Sequence, residues 1–247
     1  MSKRPTVLVV DDEVDICQNL ADILADQDYD VDIAENGAAA LALAAAKPYD
    51  VALLDLRMPG MDGLSLYRQL RKVRPEVVAI IVTAYASDGT MREAIGSGAW
   101  QVLPKPVDLL RLLTLVGDAV RQPLVLVVDD DMALCDNLWE LFRDWNLRVC
   151  VANTKEEALG RVRDREYEVV LVDLKLPGGD GRDIIESIRT LQPDSHSILI
   201  TAYAESLLEP DGGPPRTPPD AICKKPFDLQ MLRQTLARFL RQHRAEA

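Results

Sequence analysis

The 247-residue chain is poor in histidine, cysteine and aromatic residues: two His, four Cys, and Phe, Trp and Tyr together at 5%. His196 stands near the entrance to an apolar strand and His243 in a charged run, so neither reads as the phosphoacceptor histidine of a kinase. Cys17, Cys135, Cys150 and Cys223 show no Cys-x-x-Cys spacing, and Cys17 and Cys135 fall in helical patterns. They read as buried thiols of a reducing cytoplasm rather than as disulfides or zinc ligands. No apolar run approaches the roughly 18 residues needed to cross a membrane. The opening Met-Ser-Lys-Arg-Pro-Thr leads straight into a strand, without the apolar segment of a signal peptide. Positive charge is in short supply: 28 Lys and Arg against 40 Asp and Glu, a net charge of −12. That balance disfavours nonspecific binding to nucleic acid or anionic lipid. A glycine-rich nucleotide fingerprint is missing as well. The rest is ordinary for a soluble globular protein, with 48% apolar and 28% charged residues.

What the chain does have, it has twice. Val-Leu-Val-Val-Asp-Asp occurs at 7–12 and again at 125–130. Each copy is followed 44 residues later by an aspartate ending an apolar run, Asp55 after Val51-Ala-Leu-Leu and Asp173 after Val169-Val-Leu-Val. A shift of 118 residues superimposes Asp11 on Asp129, Cys17 on Cys135, Pro59 on Pro177, Gly63 on Gly181 and Thr83-Ala-Tyr-Ala on Thr201-Ala-Tyr-Ala. The register slips to 120 only at Lys105-Pro106 and Lys225-Pro226. The spacing predicts two domains, 4–121 and 123–243, each of a size that supports its own core.

Within the first copy, short apolar runs at 6–10, 31–34, 51–55, 78–83 and 100–103 alternate with segments such as Val14–Ala25 and Leu64–Val73, whose apolar residues recur three and four apart. β-Branched runs separated by helices predict a parallel sheet buried on both faces. In such α/β folds ligands gather beyond the carboxyl ends of the strands. Asp11, Asp12, Asp55, Thr83 and Lys105 all fall at or just past such ends.

Three carboxylates at one rim repel one another unless a cation neutralises them. Magnesium, with manganese as a substitute, is a hard cation that takes oxygen ligands. Asp12 and Asp55 suit direct ligands, with Asp11 acting directly or through water; Asp129, Asp130 and Asp173 repeat the set. A metal-bound Asp55 carboxylate can attack a phosphoryl group, as aspartates do in enzymes that form aspartyl phosphates. Thr83 and Lys105 would then stabilise the phosphoryl oxygens. The plainer reading makes Asp11 and Asp12 helix caps and Lys105 a solvated loop residue, but the recurrence of all five residues in two copies speaks against it.

These motifs resemble the receiver domain of bacterial two-component response regulators, over nearly the whole chain and twice. They are Val9-Val-Asp-Asp-Glu, Asp55-Leu-Arg-Met-Pro-Gly-Met-Asp-Gly, Thr83-Ala and Lys105-Pro106, repeated as Val127-Val-Asp-Asp-Asp, Asp173-Leu-Lys-Leu-Pro-Gly-Gly-Asp-Gly, Thr201-Ala and Lys225-Pro226. The resemblance implies two tandem flavodoxin-like (βα)5 domains, each with a five-stranded parallel sheet of order 2-1-3-4-5. It implies Asp55 and Asp173 as phosphoacceptors, supplied by a sensor histidine kinase or a phosphotransfer protein. Asp12 and Asp130 would bind magnesium, supported by Asp11 and Asp129 and by the backbone carbonyls of Arg57 and Lys175. Thr83, Thr201, Lys105 and Lys225 would contact the phosphoryl group, and the bonds before Pro106 and Pro226 would be cis.

Three departures from the family pattern stand out. The aromatic residue often found three positions before the lysine is replaced by Val102 and Ile222; Trp100 lies two residues earlier, expected on the same strand face as Val102. Glu209-Pro-Asp-Gly-Gly-Pro-Pro-Arg-Thr-Pro-Pro-Asp cannot sustain an ordinary fourth helix in the second copy. The last helix of the first copy carries Leu110 and Leu113 where the second has Gln230 and Arg233, a second apolar face expected to pack on the other receiver or on another chain.

The expected function is a non-enzymatic double response regulator, or the receiver part of a longer protein, that signals to an unknown downstream protein without an output domain of its own, only a charged tail following the last helix. The alternatives are a phosphate sink or relay intermediate, an inactive scaffolding receiver, and an aspartyl-nucleophile phosphatase similar to haloacid dehalogenases. The last is opposed by the missing Thr context after the first strand and by the fit of Asp55 and Lys105.

Overall fold

The computed structural model describes residues 4–85, 87–177, 179–202 and 218–246. The chain divides into two compact units, Met1–Gln122 and Pro123–Ala247.

In the first unit the elements are β1 (Thr6–Val10), α1 (Val14–Ala25), β2 (Asp30–Ala34), α2 (Gly37–Ala46), β3 (Val51–Asp55), α3 (Gly63–Val73), β4 (Val78–Thr83), α4 (Asp88–Gly96), β5 (Gln101–Pro104) and α5 (Leu109–Val120). The strands pair in parallel in the order β2-β1-β3-β4-β5. Every residue of β1, β3 and β4 is buried, which is why these segments read as unbroken apolar runs. Side chains of successive residues point to opposite faces of the sheet and feed two cores. Leu8, Val10, Ala52, Leu54, Ala79 and Ile81 pack with α2 and α3, while Val7, Val9, Val51, Leu53, Ile80 and Val82 pack with Cys17, Leu20 and Leu24 of α1 and Leu112 and Val116 of α5. Each buried Leu or Val of this kind stabilises the fold by about 1.5–3 kcal/mol.

Short polar side chains start the helices. Asn36, Asp62, Ser87 and Asp108 accept hydrogen bonds from the amides of Ala39, Ser65, Thr90 and Arg111. Each such cap satisfies an amide that has no partner inside its helix, worth about 1 kcal/mol.

The second unit repeats the plan with β6 (Leu124–Val128), α6 (Met132–Asp144), β7 (Arg148–Ala152), α7 (Lys155–Asp164), β8 (Val169–Asp173), a short antiparallel pair β9 (Lys175–Leu176) and β10 (Gly179–Asp180), α8 (Gly181–Leu191), β11 (His196–Thr201), β12 (Ala221–Lys224) and α9 (Leu229–Glu246). Its parallel sheet runs β7-β6-β8-β11-β12, the same 2-1-3-4-5 order counted within the unit. The Pro- and Gly-rich segment expected to disrupt a fourth helix lies, at 209–217, outside the described residues.

Two expectations are corrected. The charged run from Arg241 is no tail, because α9 continues to Glu246. Trp100 and Val102 do not share a face: Val102 packs with the α2–α3 core and Trp100 against the α1–α5 core. Alternation by twos holds only inside a strand, and Trp100 precedes β5, just after a turn in which Gly98 takes φ +99°. All four cysteines are buried and unpaired with one another, as expected.

Candidate functional sites at the two sheet rims

The order 2-1-3-4-5 sets β1, β3, β4 and β5 side by side in the first unit, so their carboxyl ends converge. Asp11 follows β1, Asp55 closes β3, Thr83 closes β4 and Lys105 follows β5. Asp11, Asp55 and Thr83 are buried. The Lys105 ammonium lies 2.7 Å from Asp11 Oδ2 and 2.8 Å from Asp55 Oδ1. Glu13 Oε1 stands farther off, at 4.0 Å. The other oxygen of Asp55 accepts the Arg57 amide at 2.7 Å, and Thr83 Oγ1 accepts the Tyr85 amide at 3.0 Å. Lys105 is held from its backbone as well, donating to the Thr83 carbonyl at 2.8 Å. The Lys105–Pro106 peptide bond is cis.

The second rim repeats this almost atom for atom. Lys225 Nζ lies 2.7 Å from both Asp129 Oδ2 and Asp173 Oδ1. Asp173 Oδ2 accepts the Lys175 amide at 2.7 Å, the Lys225 amide donates to the Thr201 carbonyl at 2.8 Å, and Lys225–Pro226 is cis.

Burial and pairing pull against each other here. Burial pushes the Asp55 carboxyl above its ordinary value, although the Lys105 hydrogen bond and charge oppose it. In the second rim the same conflict raises Asp129, against Lys225. Burial would lower the two lysines, yet their hydrogen bonds to both acids win and hold Lys105 and Lys225 above the usual ammonium value. Two carboxylates against one ammonium leave each site one uncompensated negative charge. The lysine therefore stays charged and anchored at neutral pH, and the site favours a further cation.

The paired acids that follow β1 and β6 differ in burial. Asp12 and Asp130 are exposed while Asp11 and Asp129 are buried, because consecutive residues leaving a strand point to opposite sides. Among the described residues no three His, Cys, Asp or Glu side chains form a group that could hold a metal ion. The donors of the set are oxygens only, the type a hard divalent cation prefers, so its chemistry fits magnesium, with the Asp12 and Asp130 carboxylates exposed and Asp11 and Asp129 buried.

Two kinds of residue that recur at the shift of 118 prove to shape the site without having been assigned a part in it. A Cβ on Gly63 would stand 2.3 Å from the Asp55 carbonyl oxygen, and one on Gly181 would stand 2.1 Å from that of Asp173. Only glycine lets the chain fold back so tightly behind the acid. Cys17 and Cys135 point their thiols at the carbonyls of Asp11 and Asp129, both at 3.4 Å. Burial raises these thiols to about 11 and about 12, so they are protonated donors and not nucleophiles. The recurrence of both pairs at a shift of 118 was the signal.

Comparison with known proteins decides the family. The response regulator receiver domain matches residues 7–117 and again 125–237. The chain belongs to the response regulator receiver family. A response regulator receiver protein of Anaeromyxobacter sp. (strain Fw109-5) is 38% identical over 237 residues, covering 95% of both chains. The DNA-binding transcriptional regulator NtrC of Escherichia coli (strain K12) is 40% identical over 118 residues, 48% of this chain but 25% of that protein. Among solved structures, a CheY-like receiver domain protein from Methanospirillum hungatei JF-1 is 30% identical, covers 48% of this chain and 94% of its own, and gives a TM-score of 0.46.

The chain is thus a pair of receiver domains of the two-component type. In the first receiver Val102 is buried, and in the second Ile222 is 43% exposed, so neither offers a ring at the position where receivers often carry one. No helix among the described residues is long and apolar enough to cross a membrane.

Proposed function

We propose that both receivers accept a phosphoryl group, on Asp55 and on Asp173, and that the phosphorylated surfaces bias a partner protein. The donor class is a phosphohistidine of a sensor kinase or phosphotransfer protein. The observation that carries this reading is the twofold Asp–Lys–Asp bridge, Asp11–Lys105–Asp55 and Asp129–Lys225–Asp173, built at equivalent rims with contacts of 2.7–2.8 Å.

In this reading one oxygen of Asp55 attacks the phosphorus. The bond from phosphorus to the histidine nitrogen breaks, and that nitrogen takes up a proton as it leaves. Lys105 lies against the reacting carboxylate and can follow the negative charge onto the phosphoryl oxygens. Thr83, held by the Tyr85 amide, offers its hydroxyl proton to one of them. Asp173, Lys225 and Thr201 take the same parts in the second receiver. Asp11 and Asp55, with Asp12 and the Arg57 carbonyl, would hold magnesium, and Asp129, Asp173, Asp130 and the Lys175 carbonyl a second ion. When bound, the cation supplies charge that offsets the acids and the incoming phosphoryl oxygens.

Output through protein contact works only if a partner prefers one state of the surface. Leu110, 80% exposed at the start of α5, is available to such a contact; Leu113 is half-buried in its own domain's core.

Intact-mass measurement after incubation with acetyl phosphate and magnesium tests the proposal. The expected gain is two phosphates on the wild type and one on either Asp55→Asn or Asp173→Asn. A wild type that gains none refutes it, and a gain that survives in the double Asn variant moves the chemistry to another residue.

A further inference from the structure

The buried acids that follow β1 and β6 are tied down unequally. In both receivers the amide of this acid continues the strand ladder, Asp11 on the Ala34 carbonyl at 3.3 Å and Asp129 on the Ala152 carbonyl at 3.1 Å. In both, a cysteine thiol points at the acid's own carbonyl at 3.4 Å. The second receiver adds a better donor: the Asn153 side-chain amide gives a hydrogen bond of 2.8 Å to the Asp129 carbonyl. Asn153 leaves β7 where Asp129 leaves β6, since Val128 and Ala152 are register partners. Its backbone is held in turn, its amide donating to Glu157 Oε2 at 2.8 Å in the first turn of α7. The Glu157 amide closes this loop on the Thr154 hydroxyl at 3.2 Å.

The first receiver has Glu35 and Ala39 at the aligned positions. An ionised Glu35 carboxylate only accepts hydrogen bonds, and a thiol is a weak donor. Ala39 has no side-chain oxygen to hold the loop. Among the described residues no side-chain amide reaches the Asp11 carbonyl. The peptide that Asn153 grips is the one joining Asp129 to Asp130. It is planar, so fixing its carbonyl also fixes the direction in which Asp130 leaves the strand. Lys225 meanwhile holds the Asp129 carboxylate at 2.7 Å.

We infer that Asn153 is a positioning residue for the divalent cation of the second receiver, presetting its acids by holding the Asp129–Asp130 peptide. The first receiver, with Glu35 in its place, has no such tie. The inference rests on the cation binding proposed above. Groups that orient ligands from behind contribute to affinity without touching the ion. Charge alone gives the opposite sign, because an acid in place of neutral Asn153 would draw a cation more strongly. An aspartate there cannot donate, so position predicts weaker binding. One variant therefore separates the two accounts.

The test titrates the unphosphorylated full chain with magnesium alone, each rim read by its own amide in two-dimensional NMR spectra, Lys175 for the second and Arg57 for the first. Asn153→Asp and Asn153→Leu each weaken binding at the second rim by about three- to tenfold, the loss expected for one hydrogen bond. Both leave the first rim at its wild-type affinity. Signal dispersion before metal is added checks the fold, and if one variant unfolds the other carries the test. Unchanged or tighter binding at the second rim in either folded variant overturns the inference and leaves the proposed function standing. An equal loss at both rims does the same. A parent whose second rim ignores magnesium overturns the cation binding proposed for it, and this inference with it.

Discussion

The two receivers agree at one end of the sheet and disagree at the other. At the carboxyl rim the acid, lysine and glycine positions recur, and the acid–lysine contacts match within 0.1 Å, 2.7 and 2.8 Å in the first and 2.7 and 2.7 Å in the second. At the amino-terminal end of the strands the polar groups have been rebuilt. In the first receiver Asp50 accepts the Thr6 amide and hydroxyl, at 2.7 and 3.0 Å; in the second, Glu168 accepts the Leu124 amide. Where the first packs Tyr49 and Lys47 against Asp32, the second has Tyr167, Arg165 and Cys150 at the aligned positions. Folding needs only that buried polar groups find partners, and many side-chain sets satisfy that. The rim must also place one ammonium between two acids, and far fewer sets do so.

If the rims are equivalent, removing the shared cation should cost them equally. Lys105→Ala and Lys225→Ala each leave two buried carboxylates facing one another, and each destabilises its own receiver by about 3–5 kcal/mol. Hydrogen exchange at β1 and β3, or at β6 and β8, reads the loss by domain. Removing one of the two facing charges with Asp55→Asn in the Lys105→Ala background, which returns the pair to its original net charge of −1, recovers part of it. A loss confined to one receiver breaks the equivalence.

The glycine pair offers a second comparison. Gly63→Ala and Gly181→Ala must push the following loop away from the Asp55 or Asp173 carbonyl, at about 1–3 kcal/mol each. Both also slow phosphorylation of their own site in the mass assay. If Gly181→Ala is silent, the β9–β10 turn relieves strain that the first receiver cannot.

Third, the bases should differ with pH. Burial raises the Glu168 carboxyl, against the hydrogen bond from Leu124. A carboxyl that binds its proton more tightly when folded costs stability above its folded value, and that cost disappears as the pH falls through that value towards its ordinary one. Glu168→Gln therefore raises the unfolding midpoint of the second receiver at pH 7, and the gain shrinks on acidification towards pH 4.5. A gain independent of pH would assign the effect to packing.

The smallest contrast sits beside the acids. Asp131 caps α6 by accepting the Leu134 amide, whereas Glu13, its counterpart, makes no side-chain cap and stands 4.0 Å from Lys105. Asp131→Ala should cost about 1 kcal/mol. Glu13→Ala should change stability by less than about 0.5 kcal/mol.

Much of this was legible in the sequence because the chain contains its own control. The strands of the first copy and the convergence of Asp11, Asp55, Thr83 and Lys105 follow from apolar runs and from the rim rule for parallel sheets. Which of Asp11 and Asp12 is buried left no mark, because a spacing of one residue says nothing about which side of a chain leaving a strand faces inward. The β9–β10 turn left no distinct mark either, since Asp-Leu-Lys-Leu-Pro-Gly-Gly-Asp-Gly differs little from its partner motif. The Asn153–Asp129 hydrogen bond joins residues 24 positions apart and becomes visible only when β6 and β7 are set side by side.

A crystal structure of the full chain grown with magnesium and beryllofluoride puts the central claim to its most direct trial. The account predicts beryllofluoride on both Asp55 and Asp173, with Lys105 and Thr83, and Lys225 and Thr201, within hydrogen-bonding distance of the fluorines and an oxygen-ligated cation beside each. Rims without either group, or lysines turned away from the acids, would contradict it.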